Sequence, residues 1–174
     1  MKPVELIAGV AKTLTFIRIF GIYEKTRLSF IMDECIFCKI IQGKSSAEVL
    51  YKNDHAVAIL DINPIHFGHI LVIPTTHALT FIDLPSEELL DIIQATQVVS
   101  RAMIESLAPP GFNIFSNNGK VAGQSVFHFH FHITPRYHDD NIQFVLKLKK
   151  YQEDQMTEYA NRIRQHIPHH IHLP

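Results

Sequence analysis

The stretch that most constrains this chain is Phe127-His128-Phe129-His130-Phe131-His132-Ile133. Imidazoles at i, i+2 and i+4 alternate with apolar side chains, which is the period of a β-strand. In a helix the same residues would scatter around the axis and leave no buried stripe. A strand rises about 3.3 Å per residue, so successive imidazoles would share one face at roughly 6.6 Å spacing. The phenylalanines would then fill the opposite, core-facing side.

Three imidazoles on a rigid strand allow two chemistries. Imidazole keeps a large neutral fraction at pH 7 while holding a proton within reach. One ring can attack an electrophile if its far nitrogen donates to a carbonyl and leaves the near lone pair free, while another serves the leaving group. The same face also suits zinc or another transition metal. The triplet alone leaves the two readings open. The preceding loop, Asn117-Asn118-Gly119-Lys120-Val121-Ala122-Gly123-Gln124-Ser125, tilts the balance toward catalysis. Gly119 and Gly123 allow backbone N–H groups to approach an anion closely, and Gln124 and Ser125 add directed donors. That set suits oxygens on a phosphorus centre that gains charge in a transition state.

The rest of the chain reads as one α+β domain with a largely antiparallel, five-stranded sheet and two main helices. The run Cys35–Lys44 is a short helix stopped at Gly43. Val49–Tyr51 and Ala56–Leu60 are strands joined by Lys52-Asn53-Asp54-His55, and His69–Ile73 is a third strand stopped by Pro74. Ser86, with Glu87 and Glu88 behind it, opens a long helix whose stripe is Leu89, Ile92, Ile93, Val99, Met103 and Leu107. Ala108-Pro109-Pro110-Gly111 stops it. Phe112–Phe115 is the fourth strand and Val126–Thr134 the fifth, with a last helix over Gln155–His166. The domain is expected over residues 32–150, followed by a C-terminal helix and histidine-rich tail over 151–174.

Residues 1–31 differ from the remainder. They carry a net charge of +3 against −4 for the rest of the chain, and their apolar residues suggest a helix. Lys12 and Arg18 interrupt any span of about 20 apolar residues, so integral membrane association is not expected. The readings are a targeting or membrane-surface segment, a loosely attached helix, or a start assigned too early, with Met32 just ahead of Cys35. The last two are favoured. A net charge of −1 gives no field for nucleic acid. Two cysteines spaced Cys35-x-x-Cys38 give no disulfide framework and point to a reducing, cytoplasmic setting, with metal or redox roles open for the pair.

The segment Gln124–Ile133 resembles the signature of the histidine triad proteins, His-φ-His-φ-His-φ-φ with φ apolar. CIFCKII near the start, LDINP at 60–64, GHILVIP at 68–74 and Asn118-Gly119 match in family order, from about Cys35 to Arg136. The closest resemblance is to the bacterial-type nucleotide-binding branch with Cys-x-x-Cys; residues 1–31 and the tail lie outside it. The resemblance implies a hydrolase or transferase acting at the α-phosphate of a purine nucleotide, in a homodimer whose sheet continues across the two copies. His130 would be the nucleophile, His132 would meet phosphate oxygens or the leaving group, and His69 would be an additional active-site histidine. Ser125, Asn118, Gly123 and Gln124 would hold phosphate and leaving group. Asp61 would accept the ribose hydroxyls, and Phe37, Ile40, Ile62 and Leu71 would line the base pocket. Structural zinc would be held by Cys35, Cys38, His77 and His128, and no organic cofactor is expected. A purine-nucleoside phosphoramidase is the leading reading. A dinucleoside polyphosphate hydrolase and a nucleotide- or zinc-binding module without catalysis are the alternatives.

Overall fold

Two short runs, Ala56–Leu60 and Ile70–Pro74, are apolar at nearly every position, a pattern that needs cover on both faces of a sheet. The computed structural model describes residues 33–143 and 145–168 and gives them that cover. A five-stranded sheet has the order β1-β2-β3-β5-β4, every neighbouring pair antiparallel. Its strands are β1 Val49–Lys52, β2 Ala56–Leu60, β3 Ile70–Pro74, β4 Gly111–Phe115 and β5 Phe131–Arg136. Helix α1 is Ile36–Ile41, α2 is Ser86–Leu107 and α3 is Gln155–Arg164.

Period-two alternation divides the central strands between two cores. Ala56, Ala58, Ile70, Val72 and Ile133 face Ile92, Ala95, Val99 and Met103 of α2. Val57, Ile59, Leu71 and Ile73 face Phe37 of α1, with Ile40, Ile41 and Val126 packed around them. The small alanines of β2 lie on the α2 side, where a 22-residue helix must come close. The buried stripe of α2 is Ile92, Ala95, Thr96, Val99, Ser100 and Met103. Ile93 and Leu107, expected in that stripe, are exposed instead: the 3.6-residue period carries Ile93 past the edge of the buried face, and Leu107 is the last residue of the helix.

Local signals set the boundaries. Gly43 takes φ +71°, a conformation that favours glycine, directly after α1. Asn53 Oδ1 accepts from the N–H groups of His55 and Ala56 at 3.0 and 2.6 Å, closing the β1–β2 turn. Ala108 at φ +46° ends α2 ahead of the proline pair.

The histidine segment departs from a continuous strand over Val126–Thr134. The ladder between β3 and β5 covers Ile70↔Ile133, Leu71↔His132 and Val72↔Phe131 and goes no further. Two residues on, β3 reaches Pro74, which has no N–H to give. The Pro74 carbonyl instead accepts from the His128 ring at 3.0 Å, and Phe129 N–H donates to Ala78 O at 2.6 Å. Alternation persists without the ladder: Phe129 is buried in the α2-side core, while His128 and His130 meet the Phe37 ring of α1 at centroid distances of 5.9 and 5.1 Å.

The described chain divides after Asp140 into two units. In the second, α3 leaves Met156, Tyr159 and Ile163 exposed along one side. The helix expected within residues 1–31 and the histidine tail at 169–172 lie outside the described residues.

Candidate active site and metal centre

The site grows from which nitrogen each histidine gives to the backbone. His130 Nδ1 lies 2.7 Å from His128 O. A carbonyl only accepts, so Nδ1 carries the proton and Nε2 keeps its lone pair. His132, across the β3–β5 ladder from Leu71, lies with Nδ1 3.0 Å from Nε2 of the buried His69. Behind His69, Asp61 Oδ2 lies 3.3 Å from Nδ1, and Ile65 N–H reaches the same atom at 3.3 Å. Asp61 is itself oriented by Asn63 N–H, which donates to Oδ1 at 2.9 Å. Phe115, opposite His132 on β4, stacks on its ring at 4.6 Å and 11°.

His130 and His132 line a cleft of about 850 Å³, together with Phe37, Ile40, Asp61, Ile62, Leu71 and Ser125. Eight of the expected site residues thus come together around one space, where apolar side chains meet imidazole, carboxylate and hydroxyl groups. A second groove of about 580 Å³, between α2 and the β1–β2 edge, is lined mostly by apolar side chains and by none of these eight residues.

Asn118, Gln124 and Gly123 do not line this cleft. Asn118 Oδ1 accepts from Phe81 N–H at 2.7 Å. Gln124 is buried and spent on its own loop: Oε1 accepts from Gly119 N–H at 2.7 Å, and Nε2 donates to Leu79 O and Val126 O at 2.7 and 3.1 Å. Gly123, at φ +90°, closes the turn over Lys120–Ala122. These residues shape the loop that carries Ser125 into the cleft. Phe115 was not anticipated, although pairing Phe112–Phe115 against the histidine strand brings it opposite His132.

Burial dominates the electrostatics. It lowers His130 below the ordinary imidazole value, opposed by the hydrogen bond to His128 O and by Asp61. His132 is pushed down to about 4, by burial first and then by His130 and His69. His69 is lowered by burial, while Asp61 pulls it the other way. In the free protein these rings are neutral at pH 7, the state a nucleophile needs.

The first histidine belongs to another cluster. His128 Nε2 donates to Pro74 O, so its Nδ1 lone pair points at Cys35 Sγ, 3.5 Å away, and Cys38 Sγ, 3.6 Å away. His77 Nδ1 lies 3.2 Å from Cys38 Sγ. In a tetrahedral ion with bonds of 2.3 Å to sulfur and 2.0–2.1 Å to nitrogen, S and N stand about 3.5 Å apart. The four ligand atoms fall within 4.8 Å of one another, so the residues fit a divalent metal. Burial and the neighbouring Cys35 push the Cys38 thiol up to about 12, so two thiolates here call for a cation between them. His77 Nε2 is buried without a partner, as the outer nitrogen of a ring committed at Nδ1. Asp61, His69 and His132 also lie close enough to hold an ion. They differ, however: His69 uses opposite ring nitrogens toward the other two, which is the geometry of a relay and not of a chelate.

Two clusters therefore share one histidine-rich segment, one with metal-ligand geometry and one opening on a cleft. The HIT domain family matches residues 42–139, which carry the histidine segment, the cleft strands and the loop between them. The chain belongs to the HIT domain family. HIT proteins with similar sequences include the adenylylsulfatase HINT3 of Arabidopsis thaliana, 32% identical over 146 residues that cover 82% of this chain and 74% of that one. A crystal structure of a HIT family member from Bacillus subtilis superposes with a TM-score of 0.74 at 36% identity, covering 78% of this chain and 98% of that one. A Zn-bound histidine triad family protein from Mycobacterium smegmatis gives 0.61 at 39% identity, covering 65% and 82%. The chain is thus a member of a family of nucleotide-binding hydrolases and transferases. Among the described residues of this HIT protein, no helix is long and apolar enough to cross a membrane.

Proposed function

We propose that this HIT protein cleaves purine nucleoside phosphoramidates at the α-phosphorus, releasing AMP or GMP and an amine. The observation that carries the reading is the 2.7 Å hydrogen bond from His130 Nδ1 to His128 O, which leaves Nε2 as the free lone pair of a ring lining the cleft. His130 Nε2 attacks phosphorus, the P–N bond breaks, and the amine leaves with a proton taken from His132. Water then cleaves the nucleotidyl-histidine. Phe37, Ile40, Ile62 and Leu71 supply apolar surface for a base, Asp61 accepts ribose hydroxyls, and Ser125 donates to a phosphate oxygen. Asn118, Gly123 and Gln124 act by holding the loop beneath the phosphate.

Intact mass spectrometry after rapid quenching should find one nucleotidyl adduct per chain, absent in His130→Ala. Turnover of an adenosine phosphoramidate that survives His130→Ala would sink the mechanism. The similarity to an adenylylsulfatase supports a second reading, in which the same attack expels an oxyanion in place of an amine. Comparing adenosine phosphoramidate, adenylylsulfate and diadenosine tetraphosphate as substrates separates the two, and a preference for either anhydride would overturn the first.

We further infer zinc in the Cys35, Cys38, His77 and His128 cluster, as a structural ion with no open position. Elemental analysis should find one zinc per chain. The exposed apolar side chains Phe112 and Ile114 on the edge strand β4 support a homodimer whose sheet runs on through a second copy. Ile114→Lys should then shift the mass in solution from two chains to one. Two cysteines with no disulfide between them suit the cytoplasm.

A further inference from the structure

Asp61 is the expected ribose ligand, yet its nearest ionisable neighbour is an imidazole. Oδ2 lies 3.3 Å from His69 Nδ1, and His69 Nε2 lies 3.0 Å from His132 Nδ1. His69 is 1% exposed and does not line the cleft, so it acts on a substrate only through His132. We propose that Asp61 is a positioning residue for the leaving-group proton, holding it on His69 and passing it through His132.

The geometry at His69 Nδ1 supports two states. One atom faces both a donor, Ile65 N–H, and an acceptor, the Asp61 carboxylate. Neutral His69, protonated at Nε2, accepts from Ile65. Protonated His69 donates from Nδ1 to Asp61 and from Nε2 to His132. The groups bearing on this ring are Asp61 beyond the end of β2, His132 on β5 and His130 ahead of it; of these only Asp61 favours the cation. A bound phosphate adds negative charge on the same side of the balance, so a solvent proton is taken up when substrate binds.

The inference rests on the nucleotidyl-transfer reading, and it balances over the cycle. In the first step the His130 Nε2–P bond forms and the P–N bond breaks. The leaving nitrogen takes the Nε2 proton of His132, and the Nε2 proton of His69 moves to His132 Nδ1. Both rings end neutral, with His69 Nδ1–H still on Asp61. In the second step water adds to phosphorus, the His130–P bond breaks, and the water proton goes to His132 Nε2. The Nδ1 proton of His132 then returns to His69, re-forming its ion pair with Asp61. Without the carboxylate, burial keeps His69 neutral, and donation from Nε2 would leave an imidazolate.

The test compares two adenosine 5′-phosphate derivatives that share base and ribose: an alkyl phosphoramidate, whose amine must be protonated, and a p-nitrophenyl ester, whose phenolate leaves unaided. In single turnover, Asp61→Asn should slow adduct formation about 100-fold with the amine substrate and less than about 3-fold with the ester. The half-saturating substrate concentration should change alike for both, because the ribose contact is common to them. His69→Gln, which leaves the Asp61 carboxylate in the cleft, should reproduce the split in adduct-formation rate with little change in half-saturation. Equal losses in adduct-formation rate for both leaving groups, or a change in half-saturation alone, would overturn the relay while leaving nucleotidyl transfer standing. A parent protein that forms no adduct with either substrate would overturn both.

Discussion

His128 and His130 are two residues apart and do opposite things with the same ring. His128 gives its Nε2 proton to Pro74 O and turns Nδ1 toward two sulfurs. His130 gives its Nδ1 proton to His128 O and keeps Nε2 for the cleft. In each case a backbone carbonyl chooses the tautomer, and the tautomer chooses the chemistry. Identical side chains on one stretch of backbone thus present opposite nitrogens, one to the sulfurs and one to the cleft, because different carbonyls reach them.

That contrast can be broken at either end. His130→Ala removes the proposed attacking atom and should cut turnover on the order of 10⁴-fold or more while leaving zinc content unchanged. Zinc loss in that variant would mean that the two clusters are not separable. His128→Ala should do the reverse: zinc is lost and the protein is destabilised by about 3 kcal/mol or more, measured by urea unfolding. EDTA should lower the parent's stability and leave His128→Ala unaffected. Equal responses to chelator would show that the cluster holds no structural ion.

Acid distinguishes the ring at the far end of the segment. With His132 held at about 4 when folded, against about 6.5 unfolded, the unfolded chain binds an extra proton between those values. Stability therefore falls as pH drops from about 6.5 toward 4, by on the order of 2 kcal/mol from this ring after allowing for its partial exposure. The slope of unfolding free energy against pH should flatten in His132→Gln. An unchanged slope would mean that His132 titrates normally. The smallest effect belongs to Asn118→Ala. Loss of its bond to Phe81 N–H should cost about 1 kcal/mol of stability and move KM less than about 2-fold. A ten-fold rise in KM would return Asn118 to the substrate.

Much of the fold was legible in the sequence because its signals are local. Gly43, Pro74, Ser86 and the Pro109-Pro110 pair mark ends of elements, and the alternation from Phe127 to Ile133 sorts imidazoles from core residues. The errors arose where distant segments compete. The ladder stops at Phe131 because Pro74, on another strand, lacks a donor. Ile93 is apolar yet exposed because only the facing sheet decides which side of α2 is buried. Gln124 reads as a substrate donor in the sequence, and in the fold its amide is bonded to Gly119, Leu79 and Val126.

By itself, then, the sequence determined the inventory: an alternating histidine stretch, a Cys-x-x-Cys, a glycine-bearing loop and an acidic residue ending an apolar strand. It could not assign protons. The tautomer of each imidazole depends on which carbonyl, carboxylate or second ring folding brings within about 3 Å, and those groups come from β3, from the segment after β2 and from neighbouring turns of backbone. Only the tertiary structure gave three equivalent histidines different partners, one turned to two sulfurs, one with a free nitrogen in the cleft and one against a second ring, because hydrogen-bond direction is a property of neighbours in space and not of spacing along the chain.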